Sequence, residues 1–232
     1  MKKHIPNTLT CCNLICGAIA TFYAFAGNYE LAMTFIITGA VFDFFDGFAA
    51  RLLHVQSPIG KELDSLADDI TFGLAPAAIV FSLLHSASVP EALHAFGPAL
   101  PFIAFLIAAF SALRLAKFNL DERQTTSFIG LPTPANALFW GALACGFHEE
   151  LTTWPYTFFV LVALILLTCY MLIAEMPLFA LKFKSFAWKG NEIRYLFMAS
   201  SLLMLVLWGV AAFAGVILWY VVLSVITQKK LS

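Results

Sequence analysis

The sequence predicts an all-α, polytopic membrane bundle of about eight transmembrane helices. Three observations predict it. Apolar residues make up 61% of the 232-residue chain and charged residues only 12%, with a mean hydropathy of +0.88; soluble domains carry roughly twice that share of charge. The apolar residues fall into runs of about 17–25, the length that crosses a hydrocarbon core. The 13 Lys and Arg sort to one side of a chain threaded through those runs, as the positive-inside rule requires.

Residues 1–7 are a short, polar and basic lead with no apparent cleavable signal. Spans are expected at 8–27, 31–53, 60–85, 99–119, 131–148 and 156–175. Between them lie a Gly27–Glu30 turn, a His54–Ile59 loop with Ser57-Pro58, a polar loop over 86–98, a polar loop over 120–130 and a turn over 149–155. The fifth span opens on Pro132-Thr133-Pro134, where Pro is tolerated because the first helical N–H groups are unpaired anyway. Residues 177–194 read as a basic, aromatic linker at the membrane interface. The stretch 195–227 is long for one span and short for two, and Gly209 and Gly215 are candidate hairpin turns. Charge decides for two. With eight spans and both termini cytoplasmic, Lys2, Lys3, Arg51, Lys61, Arg114, Lys117, Arg123, Lys182, Lys184, Lys189, Arg194, Lys229 and Lys230 all fall in or beside cytoplasmic segments, whereas the opposite loops carry Glu30, Glu91, Glu149 and Glu150. The whole chain, 1–232, reads as one domain with an extra C-terminal hairpin. A net charge of −1 gives no footing for a nucleic-acid partner. The five cysteines lie in apolar runs and read as small apolar filler, and the five histidines form no cluster.

The acids are the anomaly. Asp43 and Asp46 sit in the second span, and Asp64 and Asp68 in the third. An insertion scale puts each central Asp at ~2.5–3.5 kcal/mol, so four would cost on the order of 10 kcal/mol unless neutralised. Only Arg51 and Lys61 are close by, which points to bound metal. Spacings of three and four put each acidic pair on one helix face. Folding the segment about Val55 and Gln56 sets Asp43 and Asp68 equally far from the bend and matches Asp46 with Asp64 to within one residue. Two antiparallel helices would then bring four carboxylates to one depth, roughly 5–15 Å into the helices. Gly47, Ala50 and Gly60 continue these stripes and let a ligand approach the backbone. Oxygen-only ligands suit Mg²⁺ or Mn²⁺ rather than zinc.

The pattern D-x2-D-G-x2-A-R-x8-G-x3-D-x3-D over residues 43–68 resembles the signature of the CDP-alcohol phosphatidyltransferase family, with all eight of its positions present. Three more stretches are similar to the family's bacterial and archaeal phosphatidylserine synthase branch. They are Pro6-Asn7-Thr8-Leu9-Thr10 with Asn13-Leu14, then Gly60–Asp68 continued by Thr71-Phe72-Gly73 and Pro76-Ala77, and lastly Arg114-Leu-Ala-Lys117-Phe118-Asn119 followed by Phe128-Ile-Gly130-Leu131-Pro132-Thr-Pro134-Ala135-Asn136. The sequence departs from that pattern at Asp69, where an apolar residue is expected, and at Thr71, where Ser is usual. Asp69 is a fifth acid, expected to face Lys117 or Arg114.

The resemblance implies a six-helix catalytic core and transfer of a phosphatidyl group from CDP-diacylglycerol to the hydroxyl of L-serine, releasing CMP. It implies two divalent ions on Asp43, Asp46, Asp64 and Asp68, with Asp68 also the general base. It places the CDP-lipid against Asn7, Thr10, Asn13, Gly47, Ala50, Arg51 and Gly60, and the acceptor or a phosphate against Arg114, Lys117 and Asn119. The site would face the cytoplasm from the cytoplasmic (inner) membrane, among membrane lipids, and a homodimer is compatible with the sequence. Two alternatives stay open at this point. Glycerol phosphate, inositol phosphate or choline could replace serine within the family, and intramembrane Asp pairs also serve proton and cation transporters. Arg114 and Lys117 have a plainer reading too, as snorkelling anchors at a helix end.

Overall fold

The computed structural model describes residues 4–55, 57–89, 91–120, 128–178, 188 and 191–231. Lys2, Lys3, Arg123, Lys182, Lys184, Lys189 and most of the 177–194 linker lie outside them. Helices make up nearly all of the described chain, and five helical stretches are long and apolar enough to cross a membrane: His4–Phe25, Tyr29–Leu52, Pro58–Ser86, Leu100–Leu120 and Glu192–Thr227.

The first helix, α1 (His4–Phe25), starts four residues earlier than the expected span, with Pro6 inside its first turn. Gly27, at φ +73°, turns the chain into α2 (Tyr29–Leu52), whose first turn is capped by Asn28 accepting from the Leu31 N–H at 3.0 Å. Ala20 and Ala24 of α1 and Ala32 and Gly39 of α2 are buried, and helices faced with such small residues pack backbone to backbone. The chain leaves α2 through His54, a non-glycine residue at φ +52°, with the Val55 N–H reaching back to the Ala50 carbonyl at 3.0 Å. This is the 6→1 closure of a helix C-terminus, and it supplies the sharp elbow that the acidic hairpin needs.

The third rod is not a plain α-helix. It runs as α3 (Pro58–Asp68), a π-helical turn (Asp69–Leu74) and α4 (Ala75–Ser86). Ser57 caps its start, accepting from the Gly60 N–H at 3.0 Å. In the π turn Thr71 donates to the Asn13 carbonyl of α1 at 3.0 Å. Gly17 makes that approach feasible, because a Cβ there would stand 2.7 Å from the Thr71 Cα. Gly39 of α2 accommodates the Thr71 methyl from the other side, so Thr71, where the resemblance leads one to expect Ser, fills a notch cut by two glycines. Beyond the π turn α4 is the centre of the bundle, with Ala75, Ala77, Ala78, Ile79 and Val80 entirely buried among Ala20, Met33, Ile36, Trp140, Leu161 and Ile165.

Two 3₁₀ turns, Glu91–Phe96 and Leu100–Phe105, occupy the expected 86–98 loop and the start of the fourth span. They lead to α5 (Leu106–Leu120), α6 (Thr133–Thr153) and α7 (Thr157–Ile173). The all-α expectation needs one amendment. A two-residue antiparallel pair joins β1 (Phe128–Ile129) to β2 (Pro177–Leu178), with Phe128 opposite Leu178. Gly130, at φ +75°, donates to the Met176 carbonyl at 3.0 Å, and a Cβ on it would lie 2.8 Å from the Leu172 carbonyl oxygen. The Gly-Leu-Pro segment is therefore a strap tying the start of α6 to the end of α7.

The stretch 195–227 resolves into α8 (Glu192–Trp208) and α9 (Ala212–Leu231), broken at Gly209 with φ +57° and ψ −137°. Only glycine adopts such a conformation readily, whereas Gly215 lies within α9. The two helices pack together, with Trp219 Nε1 donating to Ser200 Oγ at 3.0 Å. Phe197, Val216, Tyr220 and Leu223 join Leu131 and Leu178 in a second, smaller core. The outer face of α8, carrying Leu202, Leu203, Val206 and Leu207, is exposed and apolar, as a lipid-facing surface must be.

Candidate active site and metal centre

The elbow at His54 brings α2 and α3 back side by side, and α1 packs against both. Carboxylate oxygens of Asp43, Asp64 and Asp68 all come within 4.8 Å of one another. All three acids are half-buried, and Asp64 Oδ1 is buried without a hydrogen-bond partner. Two carboxylates 4 Å apart repel by about 4 kcal/mol at an effective dielectric of 20. A divalent cation turns that repulsion into attraction, and three hard oxygen donors with room for further ligands match the chemistry of Mg²⁺ or Mn²⁺. The residues present therefore fit a divalent metal.

Asp46 stands apart from this triad. It is buried, and its Oδ2 accepts from the Thr10 hydroxyl at 2.6 Å. Asn13, one further turn along α1, donates from Nδ2 to Asp68 Oδ1 at 3.1 Å. Thus α1 holds one carboxylate on each arm of the hairpin. The expectation of four acids at one depth resolves into three that converge and a fourth, one turn away on α2, that lines the neighbouring cleft.

That cleft has a volume of about 780 Å³ and opens between α1, α2 and α3. Asn7, Thr10, Asp46, Gly47, Ala50, Gly60 and Asp64 line it. Asn7 Oδ1 lies against Gly60, where a Cβ would stand 3.1 Å from it. Two residues expected at the CDP-lipid fall outside the lining: Asn13 sits deeper, at Asp68, and Arg51 is exposed. Sequence reasoning missed Ser57 and Lys61 as lining groups. Ser57-Pro58 reads as a loop signal in sequence, and Lys61 reads only as a stray cation, so spacing alone gives neither a place at the cleft.

The residues expected at the acceptor divide three ways. Arg114 is buried, with its guanidinium carbon 5.6 Å from the centre of the Phe118 ring, within electrostatic range of Asp68. Lys117 is exposed. Asn119 is engaged structurally: its Nδ2 donates to Ser65 Oγ at 2.7 Å and its carbonyl accepts from Lys61 Nζ at 2.9 Å, fastening the end of α5 to α3. Asp69 lies outside the triad, and its Oδ1 is buried without a hydrogen-bond partner rather than paired with Arg114 or Lys117.

Fold and site together define a membrane-embedded helical protein with a carboxylate cluster able to hold divalent cations beside a polar cleft. The sequence model of the CDP-alcohol phosphatidyltransferases matches residues 3–181. The chain belongs to that family, and membership answers the transporter alternative. Among its relatives is the CDP-diacylglycerol–serine O-phosphatidyltransferase of Bacillus subtilis, 42% identical over 136 residues, which are 57% of this chain and 70% of the relative. The proteins of the same name from Helicobacter pylori and Saccharomyces cerevisiae are 34% and 37% identical over 135 and 163 residues, covering 57% and 61% of this chain. The chain spans about half the length of these two, 54% in each case.

Proposed function

We propose that this chain is a phosphatidylserine synthase, transferring the phosphatidyl group of CDP-diacylglycerol to the hydroxyl of L-serine with release of CMP. The observation that carries the reaction class is the convergence of Asp43, Asp64 and Asp68 beside a polar cleft in a chain of this family. The names of the relatives support serine as acceptor.

Asp43, Asp64 and Asp68, with Asp46 beside them, would hold two divalent ions, Mg²⁺ or Mn²⁺. When bound, these supply Lewis-acid charge that stabilises the diphosphate and the departing CMP. The cleft against Asn7, Gly47, Ala50 and Gly60 offers the nucleotide a close approach to the backbone. Thr10 and Asn13 act as positioning residues, fixing Asp46 and Asp68 by hydrogen bonds. Asp68 takes the proton of the serine hydroxyl as that oxygen attacks the phosphorus bearing diacylglycerol and the bond from phosphorus to the CMP oxygen breaks. The test uses purified protein, CDP-diacylglycerol and a panel of alcohols, with CMP release as readout. Serine is expected to exceed glycerol phosphate and inositol phosphate by at least about a hundredfold, the discrimination that hydrogen-bonding sites readily reach. Preference for a phosphorylated acceptor would sink the serine assignment and leave the family intact.

Among the described residues α1, α2, the α3–α4 rod, α5 with its 3₁₀ lead, α6, α7, α8 and α9 would cross the membrane as eight spans, with both termini and the cleft on the cytoplasmic side of the inner membrane. Support comes from the charge asymmetry of the loops and from the break at Gly209, which divides the last hydrophobic stretch in two. Reporter fusions at the C-terminus and within 177–194 are both expected on the cytoplasmic side. A C-terminal reporter on the outer side means seven spans and breaks the charge argument.

A further inference from the structure

Beside Asp68, three mutually packed elements carry buried polar atoms without hydrogen-bond partners: the π turn, α5 and α6. The atoms are Asp69 Oδ1, Ser111 Oγ, Arg114 Nε, Thr133 Oγ1, and both Oδ1 and Nδ2 of Asn136. Ser111 and Asn136 are wholly buried, Thr133 is 1% exposed and Arg114 7%. Buried polar groups are nearly always paired, because an unpaired one keeps its desolvation cost. Bilayer hydrocarbon, unlike water, offers no substitute partner.

The packing of these elements and helical periodicity turn these side chains toward one another. Ser111 and Arg114 are one turn apart on α5, and Thr133 and Asn136 one turn apart on α6. One side of α6 meets Met33 of α2 at Gly141, and another meets Ala211 at Gly146. Helical geometry turns Thr133 and Asn136 to the remaining side, where α6 packs on α4, α5 and the π turn. Gly73 lets two of them meet: a Cβ there would stand 2.6 Å from Asp69 Oδ1 and 3.0 Å from Ser111 Cβ, so both side chains close over the same glycine.

We propose that Asp69, Ser111, Arg114, Thr133 and Asn136 form the seat for the amino-acid head of the acceptor. Asp69 holds its ammonium group, and Arg114 with the Asn136 amide holds its carboxylate. The proposal rests on the serine reading above and deepens it. The donor and acceptor set matches a zwitterion, with a guanidinium N–H and an amide NH₂ for the carboxylate and a carboxylate and an amide oxygen for the ammonium. Asp68, the neighbour of Asp69 in the chain, is then in place for the hydroxyl. A phosphorylated alcohol brings negative charge toward Asp69 and lacks the ammonium, so the same group that attracts serine opposes it. Asp69 is where this chain departs from the pattern it resembles, so its ammonium contact belongs to this chain, whereas Arg114 and the Asn136 NH₂ serve the carboxylate end.

The test compares three acceptors, L-serine, 3-hydroxypropionate (no ammonium) and ethanolamine (no carboxylate), in purified wild type, Asp69→Leu and Asn136→Leu. Leu suits the membrane interior, and thermal unfolding in detergent checks that both variants fold. Asp69→Leu is expected to raise the KM for L-serine at least tenfold with a smaller change in kcat. It should also cut the preference for serine over 3-hydroxypropionate at least tenfold while leaving the preference over ethanolamine within twofold. Asn136→Leu should erode mainly the preference over ethanolamine. Unchanged serine KM values, or equal losses toward all three acceptors, overturn the seat alone. A wild-type protein that releases CMP with glycerol phosphate and not with serine overturns the serine reading and the seat with it.

Discussion

Asp68→Asn is expected to lower single-turnover CMP release by about 10²–10⁴-fold, the usual contribution of a positioned acid or base, while weakening CDP-diacylglycerol binding only modestly. Asn keeps the shape and one oxygen ligand but cannot take the serine proton. The Asn13 amide that now donates to Asp68 Oδ1 at 3.1 Å can donate equally well to the Asn oxygen, so the local packing survives. A carboxylate that also touches a metal is a weak base. Little basicity is needed when hydroxyl and phosphorus are already held together, because orientation itself removes much of the barrier. The measurement pairs single-turnover rate with metal-dependent CDP-diacylglycerol affinity. Near-normal turnover in the variant would show that Asp68 is not the base.

Asp64→Ala is expected to separate metal binding from folding. It removes one of the three carboxylates whose oxygens lie within 4.8 Å of each other. Even groups one bond removed from a metal usually change its affinity 10–100-fold, so the loss of a direct ligand should reach at least about a hundredfold. Mn²⁺ binding followed by electron paramagnetic resonance reads this without reference to turnover. Thermal unfolding gives the opposite sign in the absence of metal. Relieving like-charge repulsion of about 4 kcal/mol per close pair means the metal-free variant should melt no lower than metal-free wild type. Wild type should gain stability with added Mn²⁺, by about 2.7 kcal/mol at a hundredfold excess over its Kd, and the variant should gain little. Wild-type Mn²⁺ affinity in Asp64→Ala would remove Asp64 from the ligand set.

Much of this site was legible in the sequence because the physics that betrays it is coarse. Carboxylates are rare at membrane depth, and their spacing about a bend expected at Val55 and Gln56 puts Asp43 opposite Asp68. Thr10 and Asn13 could be named only through resemblance, since nothing in α1 alone says which acid each hydrogen-bonds. The π turn was not legible at all. Residues 69–74 have the composition of an ordinary helix, and the extra residue they absorb shows only when Thr71 is seen reaching the Asn13 carbonyl between Gly17 and Gly39. Asn119 illustrates a different limit. Its place in the sequence pattern suggested a ligand contact, and in the structure its side chain and carbonyl tie α5 to α3. The C-terminal hairpin turned on backbone chirality rather than hydropathy: both Gly209 and Gly215 were candidates, and only Gly209 takes a positive φ.

The arrangement of α1 also bears on how such a chain enters a bilayer. Synthesis runs from the N-terminus, so α1 emerges before α2 and α3, carrying the hydroxyl of Thr10 and the amide of Asn13. Asp46 follows on α2, and Asp68 arrives later on α3. Each of these two acids thus reaches the hydrocarbon after the group that donates a hydrogen bond to it, Thr10 at 2.6 Å and Asn13 at 3.1 Å in the finished fold. The order of parts along the chain is an order of assembly in which the polar receptor precedes the charge. Moving α1 to the C-terminus by circular permutation would keep the Thr10–Asp46 and Asn13–Asp68 partners in one chain and reverse that order.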